Sequence, residues 1–179
     1  MIFFISDLHF GHANIIKHCN RPFTSADEMD ETLIKNWNNT VKPKDEIYIL
    51  GDLTLRSADD AHKYLSLLNG RKYFIMGNHD KFLRKGRFDK YANDFEWVKD
   101  YEMVYIDGKC FVLFHYPILE WANYHRGSVH LHGHTHNRSV SFESPGNLNR
   151  LAFNVGVDMN DFRPVSITDI LKSEVGKYA

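Results

Sequence analysis

Hydrophobic residues in this chain come as short unbroken runs, separated by stretches in which apolar positions recur every three or four residues. The run MIFFIS (1–6) predicts a strand buried on both faces, ending abruptly at Asp7-Leu8-His9. A short helix is expected over ANIIKHC (13–19). The next helix has a clearer start, because Ser25 and Glu28 form a capping-box pattern. Met29, Leu33, Ile34 and Trp37 then make one apolar face, and Pro43 sets its far limit. EIYIL (46–50) reads as a second buried strand ending in Gly51-Asp52. A helix from Ser57 turns Ala61, Tyr64, Leu65 and Leu68 inward and stops near Gly70. KYFIM (72–76) is a third strand running into Gly77-Asn78-His79-Asp80.

The second half changes character. YEMVYI and KCFVLFH flank Asp107-Gly108, a strong hairpin turn. SVHLH (128–132), RSVSFE (138–143) and RLAFNVG (150–156) read as further strands. TDILKSEV (168–175) reads as a short helix capped by Thr168. Alternating strands and helices followed by more strands predict one α/β domain over 1–179, with two sheets face to face and helices outside.

Composition narrows the partners. The 179 residues are enough to bury about 70% of the unfolded-chain surface. A formal charge of −1 argues against strong duplex nucleic-acid binding. DKFLRKGRFDK (80–90) is the one basic run, read as a solvated helix face. Cys19 and Cys110 are too few for a disulfide framework and are expected as reduced thiols in the cytoplasm. The opening apolar run is too short to span a membrane, so no membrane partner is expected.

The chemistry lies in where the polar residues fall. Strand after strand ends in a residue able to bind a metal: Asp7 and His9, Asp52, Asn78 and His79, His115, then His134 and His136. Ligands gathered from the carboxyl ends of neighbouring strands converge on one crevice. Singly, each is ordinary: Gly-Asp and Gly-Asn are turn chemistry, and a lone histidine after a strand is a core residue. Five such motifs in order, each at a strand end, are hard to reach by accident. DLH (7–9), GD (51–52), GNHD (77–80), His115 and GHTH (133–136) together resemble the calcineurin-like metallophosphoesterase family. SDLHFGHANIIKHCNRPF and NVGVDMNDFRPVS further resemble its small capless bacterial and phage members.

The resemblance implies a two-sheet αββα sandwich and two divalent metal ions. Asp7, His9, Asp52 and His136 would hold one ion; Asp52, Asn78, His115 and His134 would hold the other, with Asp52 bridging. A carboxylate has two oxygens, so a shared ligand should be an aspartate. Mixed nitrogen and oxygen donors suit manganese, iron, cobalt, nickel or zinc better than calcium without choosing among them; manganese is the expected ion, with iron, zinc, nickel or cobalt as alternatives. The expected reaction is attack of a metal-bridging hydroxide on a phosphate ester, in particular a nucleotide-type phosphodiester. His79 is the candidate for stabilising or protonating the leaving oxygen, with Asp80 favouring its charged form. His12, Asn14, Arg21, Arg56, Lys81, Tyr116, Arg126 and Arg138 are candidate substrate contacts. His130 and His132 are expected to serve structure, and His18, His62 and His125 to lie on the surface. The alternatives are a phosphomonoesterase on the same site, a site with one structural zinc, and a silent metal-binding scaffold for protein contacts.

Overall fold

The structure is a computed structural model in which residues 1–83, 93–138 and 151–173 are described. Five strands form the first sheet: β1 (Ile2–Ile5), β2 (Glu46–Ile49), β3 (Arg71–Ile75), β4 (Trp97–Lys99) and β9 (Val165–Ser166), in the order β4-β3-β2-β1-β9. All pairings are parallel except β1 with β9. The second sheet has the order β5-β6-β7-β8, from β5 (Tyr101–Ile106), β6 (Lys109–Phe114), β7 (Val129–His132) and β8 (Ala152–Asn154). β5 and β6 form the expected hairpin, with Asp107 and Gly108 at φ of 50° and 80° in its turn. β6, β7 and β8 then run parallel.

Alternation along each strand assigns its side chains to layers. Phe3, Ile5, Ile47, Ile49 and Phe74 point toward the helices and pack with Leu33, Trp37 and Leu65. Their neighbours Phe4, Tyr48, Leu50 and Ile75 point the other way, onto Phe111, Leu113, Val129 and Leu131 of the second sheet. The continuous apolar runs in the sequence are therefore strands with a core on each side.

Helix α1 (Ala13–His18), α2 (Ala26–Thr40) and α3 (Ala58–Leu67) match the periodic segments. Ser25 Oγ accepts the Glu28 N–H at 3.1 Å, but the Glu28 carboxylate reaches back to the Thr24 N–H at 2.7 Å. α4 (Ile167–Lys172) is capped by Ser166 rather than Thr168. Strands β4 and β9 have no counterpart in the sequence reading. The strand expected over 138–143 lies, beyond Arg138, outside the described residues.

The outer face of the second sheet carries His130 and His132, on the side opposite Leu131. From the segment after β6, Trp121 covers this face at His130. Trp121 stacks on His130 at 5.2 Å, and Tyr124–Arg126 forms a single helical turn.

Candidate metal centre

The two sheets meet at their carboxyl ends, where Ser6 joins them. Its N–H donates to Val155 O at 3.1 Å, and its hydroxyl donates to Leu50 O at 2.7 Å. Just past this junction the backbone bends sharply. Asp7, His9, Asp52, His134 and His136 all adopt left-handed φ, between 52° and 68°. That conformation costs a residue with a β-carbon about 1 kcal/mol or more. Five instances in one crevice concentrate strain where side chains must be aimed.

Asp7, His9 and His136 bring one ligand atom each within 4.8 Å of one another, and Asp52, His115 and His134 do the same. Asp52 Oδ2 lies 3.6 Å from His9 Nε2 and 3.5 Å from His115 Nε2. Asn78 Oδ1 lies 3.0 Å from His115 Nε2. The structure thus brings these residues together as two triads, with Asp52 in the second but also near His9, and Asn78 beside His115.

The donor chemistry fits cations. His9 is buried, yet among the described residues neither of its ring nitrogens has a hydrogen-bond partner. A buried polar atom left unpaired costs about 1–3 kcal/mol. His115 Nδ1 faces Leu50 O at 2.7 Å and so carries the proton of the neutral ring. Its Nε2 faces the oxygens of Asn78 and Asp52 at 3.0 and 3.5 Å, a cluster of donor atoms that a cation would satisfy together. Burial, reinforced by the nearby His136 and Arg21, pushes His9 well below the usual imidazole range, keeping it in the neutral form that binds metal. Burial likewise raises Asp7, against the pull of His115 and His136.

Behind these ligands lies a second layer. His136 Nδ1 bonds Asp158 Oδ2 at 2.8 Å, which turns Nε2 toward the centre. Arg21 donates to both Asp158 oxygens at 2.8 Å and to the carbonyls of Asp7 and Leu8 at 2.7 and 3.1 Å. Arg21 is therefore committed to the scaffold, not to substrate as the sequence suggested. Asp158 was missed in sequence. Cys19 also approaches His136 and Asp158, but burial pushes its thiol up to about 11, and Arg21 already holds the carboxylate.

Asp80 corrects another expectation. Its carboxylate turns inward and accepts the N–H groups of Asp52, Gly77 and Leu53 at 2.8, 2.7 and 2.9 Å. It positions the Asp52 turn rather than the His79 ring. Burial and the Asp52 charge push it up to about 7, against the pull of those three bonds. The His79 N–H donates to Asp52 Oδ1 at 2.9 Å, and its ring meets His9 edge-on at 5.5 Å.

The substrate candidates divide. His12 and Arg138 line the hollow beside His9, His79 and His136, joined by His18, which the sequence placed on the ordinary surface. The Tyr116 ring packs against His134 at 4.5 Å. Arg56 donates to Gly11 O at 3.1 Å and braces the loop before α1. Asn14 and Lys81 are exposed, and Arg126 lines a separate hollow with Tyr105 and Lys109. His62 pairs with Asp94 and His125 with Glu120. His130 lies between the carbonyls of Val112 and Tyr116, and His132 bonds Gly133 O, so both serve structure.

A family model described as the calcineurin-like phosphoesterase superfamily domain matches residues 1–161. An uncharacterized protein of Methanocaldococcus jannaschii is 43% identical over 173 residues, covering 96% of this chain and 89% of its own. A solved protein of unknown function from Aquifex aeolicus superposes with a TM-score of 0.73 at 29% identity, covering 96% of this chain and 98% of the other. A novel archaeal phosphodiesterase shares the fold, with a TM-score of 0.50 at 21% identity over 87% of this chain and 82% of its own. A match of that extent, on a sandwich of this topology, makes the chain a member of the calcineurin-like phosphoesterase superfamily.

Proposed function

We propose that this chain is a dinuclear metal-dependent phosphodiesterase acting on nucleotide-type esters, and that residues 1–179 form one such domain. The observation that carries the reading is the position of Asp52. Its Oδ2 lies within 3.6 Å of a nitrogen from each of two histidines, and each histidine belongs to its own triad. In this reading Asp7, His9 and His136 hold one ion, Asn78, His115 and His134 hold the other, and Asp52 is shared. When bound, the ions act as Lewis acids on the phosphoryl group and make a water acidic near neutral pH. The mixed donor set admits manganese, iron, cobalt, nickel or zinc, and manganese is the ion used in the test below.

The chain's own residues do the rest. Asp7 and Asp52 supply the only carboxylates in the two triads, so two divalent ions leave the crevice positive toward an anionic ester. His79, its backbone tethered to Asp52, presents its imidazole on the same side as His9 and gives a proton or hydrogen bond to the departing ester oxygen. Beside the triads the crevice opens into a hollow of about 370 Å³, room for the second substituent that a diester carries and a monoester lacks.

The test is turnover of bis(p-nitrophenyl) phosphate and p-nitrophenyl phosphate with and without manganese, together with metal counting by mass spectrometry. We expect two ions per chain and faster release from the diester. One ion per chain would remove the dinuclear reading; metal without turnover would favour a binding scaffold.

A further inference from the structure

The hollow beside the triads has features that hydrolysis of a phosphate ester alone does not call for. His9, His79 and His136 form its inner wall, so an occupant would be joined to the group being hydrolysed. Its outer part is made by His12, Ile15, His18 and Cys19 on one side and Asn137 and Arg138 on the other. The two sides are tied together, because the Asn137 amide donates to Cys19 O at 2.8 Å. Among the described residues no carboxylate lines the hollow, and none pairs with the Arg138 guanidinium. Arg138 thus brings a cation to the hollow that no carboxylate among the described residues offsets.

His12 adds an independent sign. It occupies the N-cap of α1, where serine, aspartate or asparagine would normally satisfy the helix, yet it makes no capping bond. Its Nδ1 is buried without a partner, and its ring stands 5.6 Å from that of His9. Among the described residues this nitrogen has no hydrogen-bond partner, which leaves it ready for a ligand. Ile15 and Cys19 give the hollow an apolar floor beneath these polar groups.

Resting on the phosphodiesterase reading above, we propose that the hollow is a subsite for a second anionic group: the phosphate one nucleoside unit away from the ester being cleaved. Arg138 and His18 receive that phosphate, His12 bonds the connecting sugar-phosphate, and Ile15 and Cys19 lie under the sugar or base. The substrate class is then a nucleotide chain end rather than an isolated diester.

Two chromogenic probes differ by that group alone: thymidine 5′-(p-nitrophenyl phosphate), and the same compound bearing a 3′-phosphate. With the manganese-loaded protein, KM for the 3′-phosphorylated probe should be about tenfold lower, as expected for a charge-assisted contact. The difference should shrink as salt is raised. Arg138→Ala should bring the ratio of the two KM values to about one, and Arg138→Lys should restore most of it. Equal KM values in the natural protein would overturn the subsite, as would an Arg138→Ala effect of equal size on both probes. Turnover of bis(p-nitrophenyl) phosphate with neither thymidine probe accepted would also overturn it, leaving the phosphoesterase reading intact. No turnover of any of the three would sink both.

Discussion

An aspartate set between two imidazole nitrogens, as Asp52 is at 3.6 and 3.5 Å, has one full charge to divide between two centres. Asp52→Asn keeps the shape and removes that charge. It should weaken both ions and lower turnover by about 100-fold or more, read by calorimetric metal titration beside kcat. Weakening at one ion alone would show that Asp52 belongs to a single centre. Asp158 acts through others. Asp158→Asn leaves the Arg21 guanidinium buried without its counter-charge, a loss of about 3 kcal/mol or more in the metal-free protein. It also removes the charge from the bond that orients the His136 ring, so affinity for one ion should fall about 10- to 100-fold. Urea unfolding and metal titration measure the two effects separately. His130 governs a different property. Burial drives its ring down to about 4, although bonds to Val112 O and Tyr116 O favour the charged form. An unfolded histidine titrates near 6.5. Between these values the unfolded chain binds the proton more tightly, so the stability His130 contributes is complete above pH 6.5 and is lost as pH falls toward 4. The gap corresponds to about 3 kcal/mol. Carbon-13 NMR of the ring should show a midpoint well below 6; a midpoint at the unfolded value would refute the assignment.

The elements explain why one sequence segment holds histidines with different duties. In VHLHGHTH, His130 and His132 belong to β7 and share its outer face, whereas His134 and His136 sit on left-handed bends beyond Gly133 and go to different triads. Gly133 makes the switch possible. A β-carbon there would lie 2.0 Å from Ser6 Oγ and 2.3 Å from Asp7 Oδ2, closer than real contacts allow. Gly133→Ala should therefore displace the Asp7 carboxylate and lower metal content from two ions toward one. Two ions bound at natural affinity in that variant would refute the argument. The same logic separates what was legible in the sequence from what was not. β1, β2 and β3 were legible because a core on each face forces unbroken apolar runs, and α2 and α3 because Ser25 and Ser57 cap periodic segments. β4 and β9, with three and two residues, are too short to carry a pattern and exist only through their neighbours. The α4 boundary shifted because Ser166 is both the last residue of β9 and the cap. Metal-capable side chains that end strands could be read in order. Asp158 could not: it sits in a one-turn helix, and Arg21, its partner, is 137 residues away. A lone arginine in a polar stretch reads as a solvent-facing cation, which is why the sequence points Arg21 toward substrate while the fold buries it.

At the scale of the whole molecule, each triad draws on both sheets. Asp7 and His9 follow β1 of the first sheet, while His136 follows β7 of the second; Asp52 follows β2, while His115 and His134 follow β6 and β7. Without cations, the Ser6 bonds to Val155 and Leu50 and the apolar layer between the sheets hold this edge, while the His9 nitrogens stay unpaired. Ions bound here would join the sheets directly and relieve that penalty, so metal binding must appear as global stability. One ion at a hundred times its Kd adds about 2.7 kcal/mol. For a chain of this size that raises Tm by about 5–10 °C, and two independent ions roughly double the rise. Calorimetric scans over a manganese series should show Tm climbing with the logarithm of free metal, and a chelator should reverse it. Amide exchange should slow most at the ends of β1 and β7, the strands that lead into opposite sides of the Asp7, His9 and His136 triad. A Tm that stays flat up to millimolar manganese would mean that the two triads do not close around ions, and the hydrolytic reading would fail with them.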